Sequence, residues 1–141
     1  YIHSVERISK FSNVISINGG VQLDLMGQEN AESTGTRQLS GVGGQMDFLE
    51  GAYRSKGGKG FICINSSRVT KDGERKSNIL ATIPGGSTIS APRTMIQYVA
   101  TEYGIASLSG KTLRERAEAM ASIAHPDFRE ELMKYAQENF K

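Results

Sequence analysis

The sequence is poor in the residues that cross-link chains or bind metals. Its 141 residues include one cysteine, three prolines and no tryptophan. A single thiol cannot form a disulfide within its own chain, and a cysteine-based zinc site needs more than one sulfur ligand. The histidines, His3 and His125, fit neither a metal site nor a nucleophile–base pair. We therefore expect no disulfide framework and no metal centre.

Long apolar runs and a strong charge bias are also lacking. No apolar stretch approaches the roughly 20 residues that span a bilayer. Seventeen basic against fifteen acidic residues give a formal net charge of +2, without the basic excess of a dedicated nucleic-acid-binding protein. The chain also opens at Tyr1 with neither an initiator methionine nor a signal-peptide pattern. We expect a piece of a longer protein that binds neither nucleic acid nor membrane.

The first quarter of the chain has both helical and strand-like patterns. Residues 4–11 have apolar residues at helical spacing, which predicts a short helix. Residues 14–17 and 21–25 alternate apolar and polar side chains, and Asn18-Gly19-Gly20 between them tolerates positive φ. This pattern predicts a β-hairpin.

The middle of the chain combines a long polar loop with apolar runs. Residues 27–44 are polar and rich in glycine, and so long a connection is more often functional than passive. Residues 45–55 return to helical spacing. Three continuous apolar runs then predict strands buried on both faces, with Cys63 as an inert core thiol. These runs are Phe61–Ile64, Ile79–Ile83 and Met95–Ala100.

The last thirty residues predict two amphipathic helices. Thr112 and Glu115 have the spacing of a capping box, and Pro126 suits the first position of the second helix, with His125 capping or packing at its start. Strands interleaved with helices and closed by a helical pair indicate an α/β fold. We expect one domain over residues 1–141.

Gly41–Phe48 is the segment most suggestive of chemistry. It is a glycine-rich loop that runs into a helix, where backbone N–H groups and the helix dipole favour a phosphate or a developing oxyanion. The alternative is an ordinary loop whose glycines serve only turns. It is not a dinucleotide fingerprint, because Met46 stands where that pattern needs glycine. Ser109–Thr112 is not a P-loop end either, because Gly104 lies one place too early.

Charged residues supply two further candidates. Glu102 follows an apolar run, so we expect it at the carboxyl end of a strand, where it would orient or protonate a ligand or pair with an arginine. Six cations between residues 56 and 76 suit an anionic ligand, or else form an ordinary solvated surface. They are Lys56, Lys59, Arg68, Lys71, Arg75 and Lys76.

Five motifs in a fixed order are more specific than any one loop. They are Ser40–Phe48, Ser55–Lys59, Thr101–Ala106, Gly110–Ala117 and Ile123–Arg129. Together they resemble the C-terminal part of the acetyl-CoA hydrolase/transferase family, and within it the 4-hydroxybutyrate and butyrate CoA-transferases. The resemblance extends over nearly the whole chain. It implies a CoA-transferase-like (NagB/RpiA-like) α/β fold, with an open, mainly parallel sheet, flanking helices and a C-terminal helical pair.

The resemblance implies a reaction with a covalent intermediate. In the family, a glutamate carboxylate attacks an acyl-CoA and is converted, through a mixed anhydride, into a glutamyl-CoA thioester that an acceptor acid then attacks. That glutamate belongs to a His-Thr-Glu-like motif, which this chain does not contain. We therefore expect the nucleophile in an N-terminal region outside this sequence, and we expect this piece alone to be inactive.

The resemblance also assigns roles to particular residues. Gly44 matches the glycine whose N–H helps to form the oxyanion hole, and Glu102 matches a second active-site glutamate. Val21, Gly43, Gly44 and Lys71 match positions that contact CoA. CoA and acyl-CoA are implied as substrates, with no permanently bound cofactor.

The partners follow from the same resemblance. They are an acyl-CoA, a short-chain carboxylate, the N-terminal domain of the same enzyme and further copies of that enzyme in a cytoplasmic homo-oligomer. Two alternatives stay open on sequence grounds: an acetyl-CoA hydrolase, in which water captures the acyl-enzyme, and a stand-alone CoA-binding module.

Overall fold

A computed structural model describes residues 2–141. Within this range the chain forms four helices and eleven strands. In chain order they are α1 (Val5–Ser9), β1 (Ile15–Gly19), β2 (Gln22–Asp24), β3 (Glu29–Asn30), β4 (Ser33–Thr34), β5 (Arg37–Gln38), α2 (Gln45–Arg54), β6 (Lys59–Cys63), β7 (Ser67–Val69), β8 (Arg75–Ser77), β9 (Ile79–Leu80), β10 (Tyr98–Thr101), β11 (Gly104–Ser107), α3 (Leu113–Ser122) and α4 (Pro126–Asn139).

The central sheet has four strands in the order β1-β6-β10-β11. The first three are parallel, and β11 returns antiparallel to β10. A smaller sheet has the order β3-β2-β9. The expected α/β fold with a mainly parallel sheet and a C-terminal helical pair is therefore confirmed.

The predicted hairpin between β1 and β2 is wrong. β1 pairs in parallel with β6 over five residue pairs, whereas β2 belongs to the smaller sheet. Ile15 and Ile17 are 53% and 69% exposed, and Ser16 between them is buried. The residues between β1 and β2 therefore connect the two sheets and do not form a hairpin turn. The alternation of apolar and polar residues in β1 does not indicate a buried apolar face.

Two of the three apolar runs form shorter strands than expected, and the central sheet is covered on one face only. Ile62 and Val99 are fully buried on that face, where α2 and α3 pack. Phe61 is only partly buried and Cys63 is exposed on the other face. The prediction of strands buried on both faces, with Cys63 as a core thiol, is wrong because no element within residues 2–141 covers the second face.

Residues 27–44 are more ordered than a loop. They contain the short strands β3, β4 and β5, of which β4 and β5 pair with each other. The Asn30 side chain accepts hydrogen bonds from the Glu32 and Ser33 N–H groups and donates to the Ser33 carbonyl. Buried polar side chains thus satisfy backbone groups that a simple hairpin would pair by itself. This organisation places Glu29 in the interior.

The C-terminal helices match their sequence signals. The Thr112–Glu115 capping box is complete, and the His125 ring accepts a hydrogen bond from the Asp127 N–H at the start of α4. Pro126 is the first residue of that helix. α3 and α4 pack on each other, and Met120 on α3 and Ala136 on α4 are both fully buried. No helix among the described residues is long and apolar enough to cross a membrane.

Candidate functional site

The carboxyl ends of the three parallel strands open onto a cleft of about 420 Å³. Ligands of open α/β sheets bind beyond these ends. The sequence places polar or small residues at each end, so backbone groups and side-chain oxygens are accessible there. The lining residues are Gly20, Cys63, Ile64, Asn65, Ala100 and Thr101.

Glu102 directly follows the last of these strands, as expected. The Ser66 N–H and hydroxyl donate to its two carboxylate oxygens at 2.9 and 2.6 Å. Slight burial opposes ionisation, but these hydrogen bonds and the nearby His125 outweigh it, so the pKa of Glu102 lies below its ordinary value. Its partner is a serine and not the arginine considered from the sequence. Glu102 is therefore an exposed carboxylate that Ser66 holds in place and keeps ionised.

The glycine loop ends at the start of α2. Gly43 has a φ of +58°, a conformation that side chains other than glycine rarely adopt. Gly44 is the N-cap residue of α2, so the free N–H groups of the first helical turn lie beside it. A Cβ atom on Gly44 would lie 2.6–2.8 Å from the His3 ring. The loop thus has the local geometry for binding an anion, with the His3 ring covering Gly44.

Val21 lies next to the cleft. Its N–H donates to the Asn30 carbonyl at 2.9 Å, and the N–H of the neighbouring Gly20 points to the Cys63 carbonyl at 3.4 Å. The Gly20–Val21 turn is therefore fixed to both sheets. This places Val21 beside the strand ends, although Gly20 and not Val21 lines the cleft.

Lys71 is separate from the other candidates. It lies at the exposed tip of the β7–β8 hairpin, where the Thr70 N–H donates to the Glu74 carbonyl and Gly73 has a φ of +81°. Within the part of the chain that the structure describes, no hydrogen bond or ion pair joins Lys71 to Gly44, Val21 or Glu102.

The six cations do not form one group in this chain, although Arg68, Arg75 and Lys76 line a common cleft. Arg68 donates to the Asn78 side chain, Arg75 lies 4.0 Å from Asp127, and Lys76 lies 3.2 Å from Glu74. Lys59 is the first residue of β6, at the opposite end of the strand from the cleft. These local partners favour the solvated-surface interpretation.

Sequence reasoning missed Glu29, which is fully buried. The Gln45 side-chain amide donates to Glu29 Oε2, whereas Oε1 has no hydrogen-bond partner among the described residues. Burial raises the pKa of Glu29 to about 7. Nothing local marks Glu29 as buried, because its surroundings come from Gly20, Gln45 and Ala91, which are distant in sequence.

A larger cleft lies elsewhere. It has a volume of about 690 Å³ and is lined mainly by apolar residues of α1, of β1, of the segment between them and of α2, including Phe11, Ile15 and Phe48. None of the candidate site residues lines it. Its apolar walls are suited to packing and not to the chemistry of a thioester, so we place the candidate site at the strand ends.

The fold and this arrangement define an α/β domain with a glycine loop at the start of a helix and a carboxylate fixed just after the end of a parallel strand. Comparison with protein families matches residues 1–136 to the acetyl-CoA hydrolase/transferase C-terminal domain, so the chain belongs to this family. The resemblance predicted from the five motifs is confirmed.

Individual relatives agree with this assignment. The chain is 47% identical to the butyryl-CoA:acetate CoA-transferase of Anaerostipes caccae, over 97% of this chain and 31% of the relative. It is 48% identical to the 4-hydroxybutyrate coenzyme A transferase of Clostridium kluyveri, over 99% and 32%. Its fold matches the crystal structure of RipA from Yersinia pestis with a TM-score of 0.85 and 38% identity, over 98% and 30%. The chain thus spans about 30% of the length of these relatives.

Proposed function

We propose that this chain is the C-terminal part of a CoA-transferase that moves coenzyme A between short-chain carboxylic acids of the butyrate, 4-hydroxybutyrate and acetate type. The observation that carries the proposal is the match of 97–99% of the chain, at 47–48% identity, to relatives named as such transferases. The site adds chemical support, because a helix N-terminus preceded by glycines suits an acyl-CoA.

The proposed reaction is reversible and passes through two covalent intermediates on a glutamate. A glutamate carboxylate from another part of the enzyme attacks the thioester carbonyl, which releases CoA as a thiolate and leaves an acyl-glutamyl anhydride. The thiolate then attacks the glutamyl carbonyl, which releases the first carboxylic acid as its carboxylate and leaves a glutamyl-CoA thioester. The acceptor carboxylate repeats these steps in reverse, so the new acyl-CoA leaves and the glutamate is restored.

In this scheme Gly44 supplies an N–H to the oxyanion that forms at the thioester carbonyl. A donor fixed before the reaction stabilises the transition state without reorganisation. Gly43 allows the ligand to approach closely, since its positive φ turns the loop without a side chain. Val21 and Lys71 are proposed contacts to CoA, Val21 beside the strand ends and Lys71 towards a phosphate.

Glu102 has the proposed role of an orienting carboxylate. Ser66 holds it at two points and lowers its pKa, so it is ionised at neutral pH. An ionised carboxylate accepts hydrogen bonds but has no proton to donate. We therefore propose that Glu102 orients the reacting groups, and we reject the role of proton donor that the sequence also allowed.

The remainder of the enzyme is the proposed partner domain. Parallel sheets have both faces covered in known folds, whereas this sheet exposes Ile15, Ile17 and Ile105 by 53%, 69% and 62%. We propose that other parts of the longer protein cover this face and bring the nucleophile to the strand ends. The homo-oligomeric state and the cytoplasmic location stay predictions from the family.

The test is an exchange assay on the full-length protein that contains this chain. Butyryl-CoA mixed with acetate should give acetyl-CoA and butyrate, with the parallel initial-velocity lines of a ping-pong reaction. Release of free CoA at the same rate without acetate would instead indicate a hydrolase. CoA binding with neither reaction would indicate a binding module. The 141-residue chain alone should show no exchange.

A further inference from the structure

Glu29 has a buried carboxyl group to which the proposed reaction gives no role. It lies on β3, where the Glu29 N–H donates to the Ala91 carbonyl at 3.0 Å and the Glu29 carbonyl accepts from the Ser90 N–H at 2.8 Å. Both bonds run to the same segment on one side of β3, and β3 pairs with β2 on its other side. Its side chain points away from this pairing towards the two loops of the candidate site.

The carboxyl group lies between those loops. Oε2 accepts a hydrogen bond from Gln45, the first residue of α2 and the neighbour of Gly44. Oε1 lies against Gly20, where an added Cβ atom would be only 2.7 Å from it and 3.1 Å from Ile64. Glycine at position 20 thus leaves the space that the carboxyl group occupies. One side chain contacts both the start of α2 and the turn that carries Val21.

We propose that Glu29 is a positioning residue for CoA transfer: its carboxyl group holds the start of α2, and with it Gly44, in place relative to the Gly20–Val21 turn. This proposal rests on the proposed function, because the spacing of these loops matters to catalysis only if both contact the acyl-CoA. Glu29 acts through Gln45 and touches no reacting atom. Errors of about 1 Å in such positions reduce turnover by about 100-fold.

The protonated acid is the form that suits this environment. Burial raises the pKa of Glu29 to about 7, and the nearby Glu32 carboxylate adds to the rise, although the hydrogen bond from Gln45 opposes it. The other groups against the carboxyl group are uncharged: Gln45 from α2, Gly20 from the turn and Ile64 after β6. Above about pH 7 the group gains a charge with no cation to balance it. The contact should then loosen as the pH rises.

The experiment compares three variants of the full-length protein with the wild type. Glu29→Gln keeps the shape and the acceptor for Gln45 but cannot ionise. Glu29→Met keeps a similar volume but removes both oxygens. Glu130→Gln removes a charge from an exposed position on α4 and serves as the control. Butyryl-CoA:acetate exchange is measured from about pH 6 to about pH 8.5, together with hydrogen exchange by mass spectrometry.

We expect the kcat of the wild type and of Glu130→Gln to fall above about pH 7, and Glu29→Gln to retain its kcat there. Glu29→Met should lower kcat by at least about tenfold with a smaller change in KM. It should also speed hydrogen exchange in residues 19–22 and 41–49, with α4 unchanged. A Glu29→Gln profile identical to that of the wild type, or a wild-type kcat in Glu29→Met, would overturn the proposal.

The hydrogen-exchange measurement separates this proposal from the proposed function. If the wild type transfers no CoA but Glu29→Met loosens the two loops, the proposed function fails. The contact made by Glu29 is then structural only, which overturns Glu29 as a positioning residue for catalysis. If the wild type transfers CoA and the loops exchange unchanged in Glu29→Met, the proposed function stands and this inference fails. If Glu29→Met unfolds throughout, the pH profile of Glu29→Gln decides.

Discussion

At the residue scale, glycines differ in what their missing side chain allows. A Cβ atom on Gly44 would meet the His3 ring at 2.6–2.8 Å, whereas one on Gly41 would meet no atom within 4 Å. Both lie in the same loop, and neither has a positive φ. A larger side chain at Gly44 would therefore collide with the His3 ring, whereas the same change at Gly41 would enter open space.

Gly44→Val in the full-length enzyme should reduce kcat for butyryl-CoA:acetate exchange by about 100-fold. The loss of one oxyanion donor costs about 10²–10³ in kcat, and we expect the clash of the new side chain with the His3 ring to move the Gly44 N–H away from the thioester. Gly41→Val is the matched control and should stay within about twofold of the wild type. Turnover of Gly44→Val at the wild-type rate would refute the oxyanion role.

Ser66 is the residue that sets the ionisation of Glu102. Its hydroxyl, 2.6 Å from the carboxylate, lowers the pKa of Glu102, so Ser66→Ala should raise that pKa towards the ordinary value. If activity requires the ionised carboxylate, then on acidification Ser66→Ala should lose activity at a higher pH than the wild type does. The acid limb of the kcat/KM profile of the full-length enzyme measures this shift. Ser107→Ala, at an exposed position on β11, should leave the limb unchanged.

Sequence reasoning located Gly44 and Glu102 because their signals are local. A glycine loop before a helix and a carboxylate after an apolar strand are both visible in a few consecutive residues. Glu29 carries no such signal, since its burial depends on Gly20 and Ala91 from distant parts of the chain. The sequence could therefore predict the proposed ligand-contact residues more readily than the proposed positioning residue.

At the scale of elements, helices are predicted by local signals, whereas strand pairing depends on residues that are distant in sequence. The start of α3 could be predicted because Thr112 and Glu115 bond within one turn. The hairpin prediction failed because β1 finds its partner in β6, more than forty residues away, and the alternation of Ile15 and Ile17 reports an exposed face. Local capping is encoded in neighbouring residues, whereas strand pairing is decided by competition across the whole domain.

Arg116 is the contact by which α3 is joined to distant loops. Its buried guanidinium donates to the carbonyls of Met26, Leu108 and Arg93 at 2.7–2.9 Å. Arg116→Met should lower the free energy of unfolding of the full-length protein by about 2–5 kcal/mol, because each buried acceptor left unpaired costs about 1–3 kcal/mol. Urea denaturation measures the change.

The matched control for Arg116 lies on the same helix. Arg114 is half-exposed and pairs with Glu118 one turn further along. Such surface pairs contribute about 0.5 kcal/mol or less, so Arg114→Met should leave the urea midpoint nearly unchanged. Equal effects of the two substitutions would show that the three carbonyls do not depend on Arg116.

At the scale of the whole molecule, the fold class could be predicted from the sequence. Which face of the central sheet is buried could not. Apolar strands and amphipathic helices gave the α/β architecture, because their periodicity reflects burial in any fold. Which face of the sheet is buried depends on what packs against it. Within residues 2–141 the helices that pack on the central sheet lie on its Ile62 and Val99 side, and the chain spans only about 30% of its relatives.

Ile17 on the uncovered face provides the last prediction. It is 69% exposed here, and burial of an isoleucine side chain contributes about 1.5–3 kcal/mol. If the rest of the enzyme covers this face, Ile17→Asn should destabilise the full-length protein by at least about 2 kcal/mol, because an unpaired amide would replace a buried apolar group. Val69→Asn is the control, since Val69 is 59% exposed on β7, outside the central sheet. Thermal unfolding should show a lower Tm for Ile17→Asn and little change for Val69→Asn, whereas an unchanged Tm for Ile17→Asn would mean that solvent reaches this face in the complete enzyme.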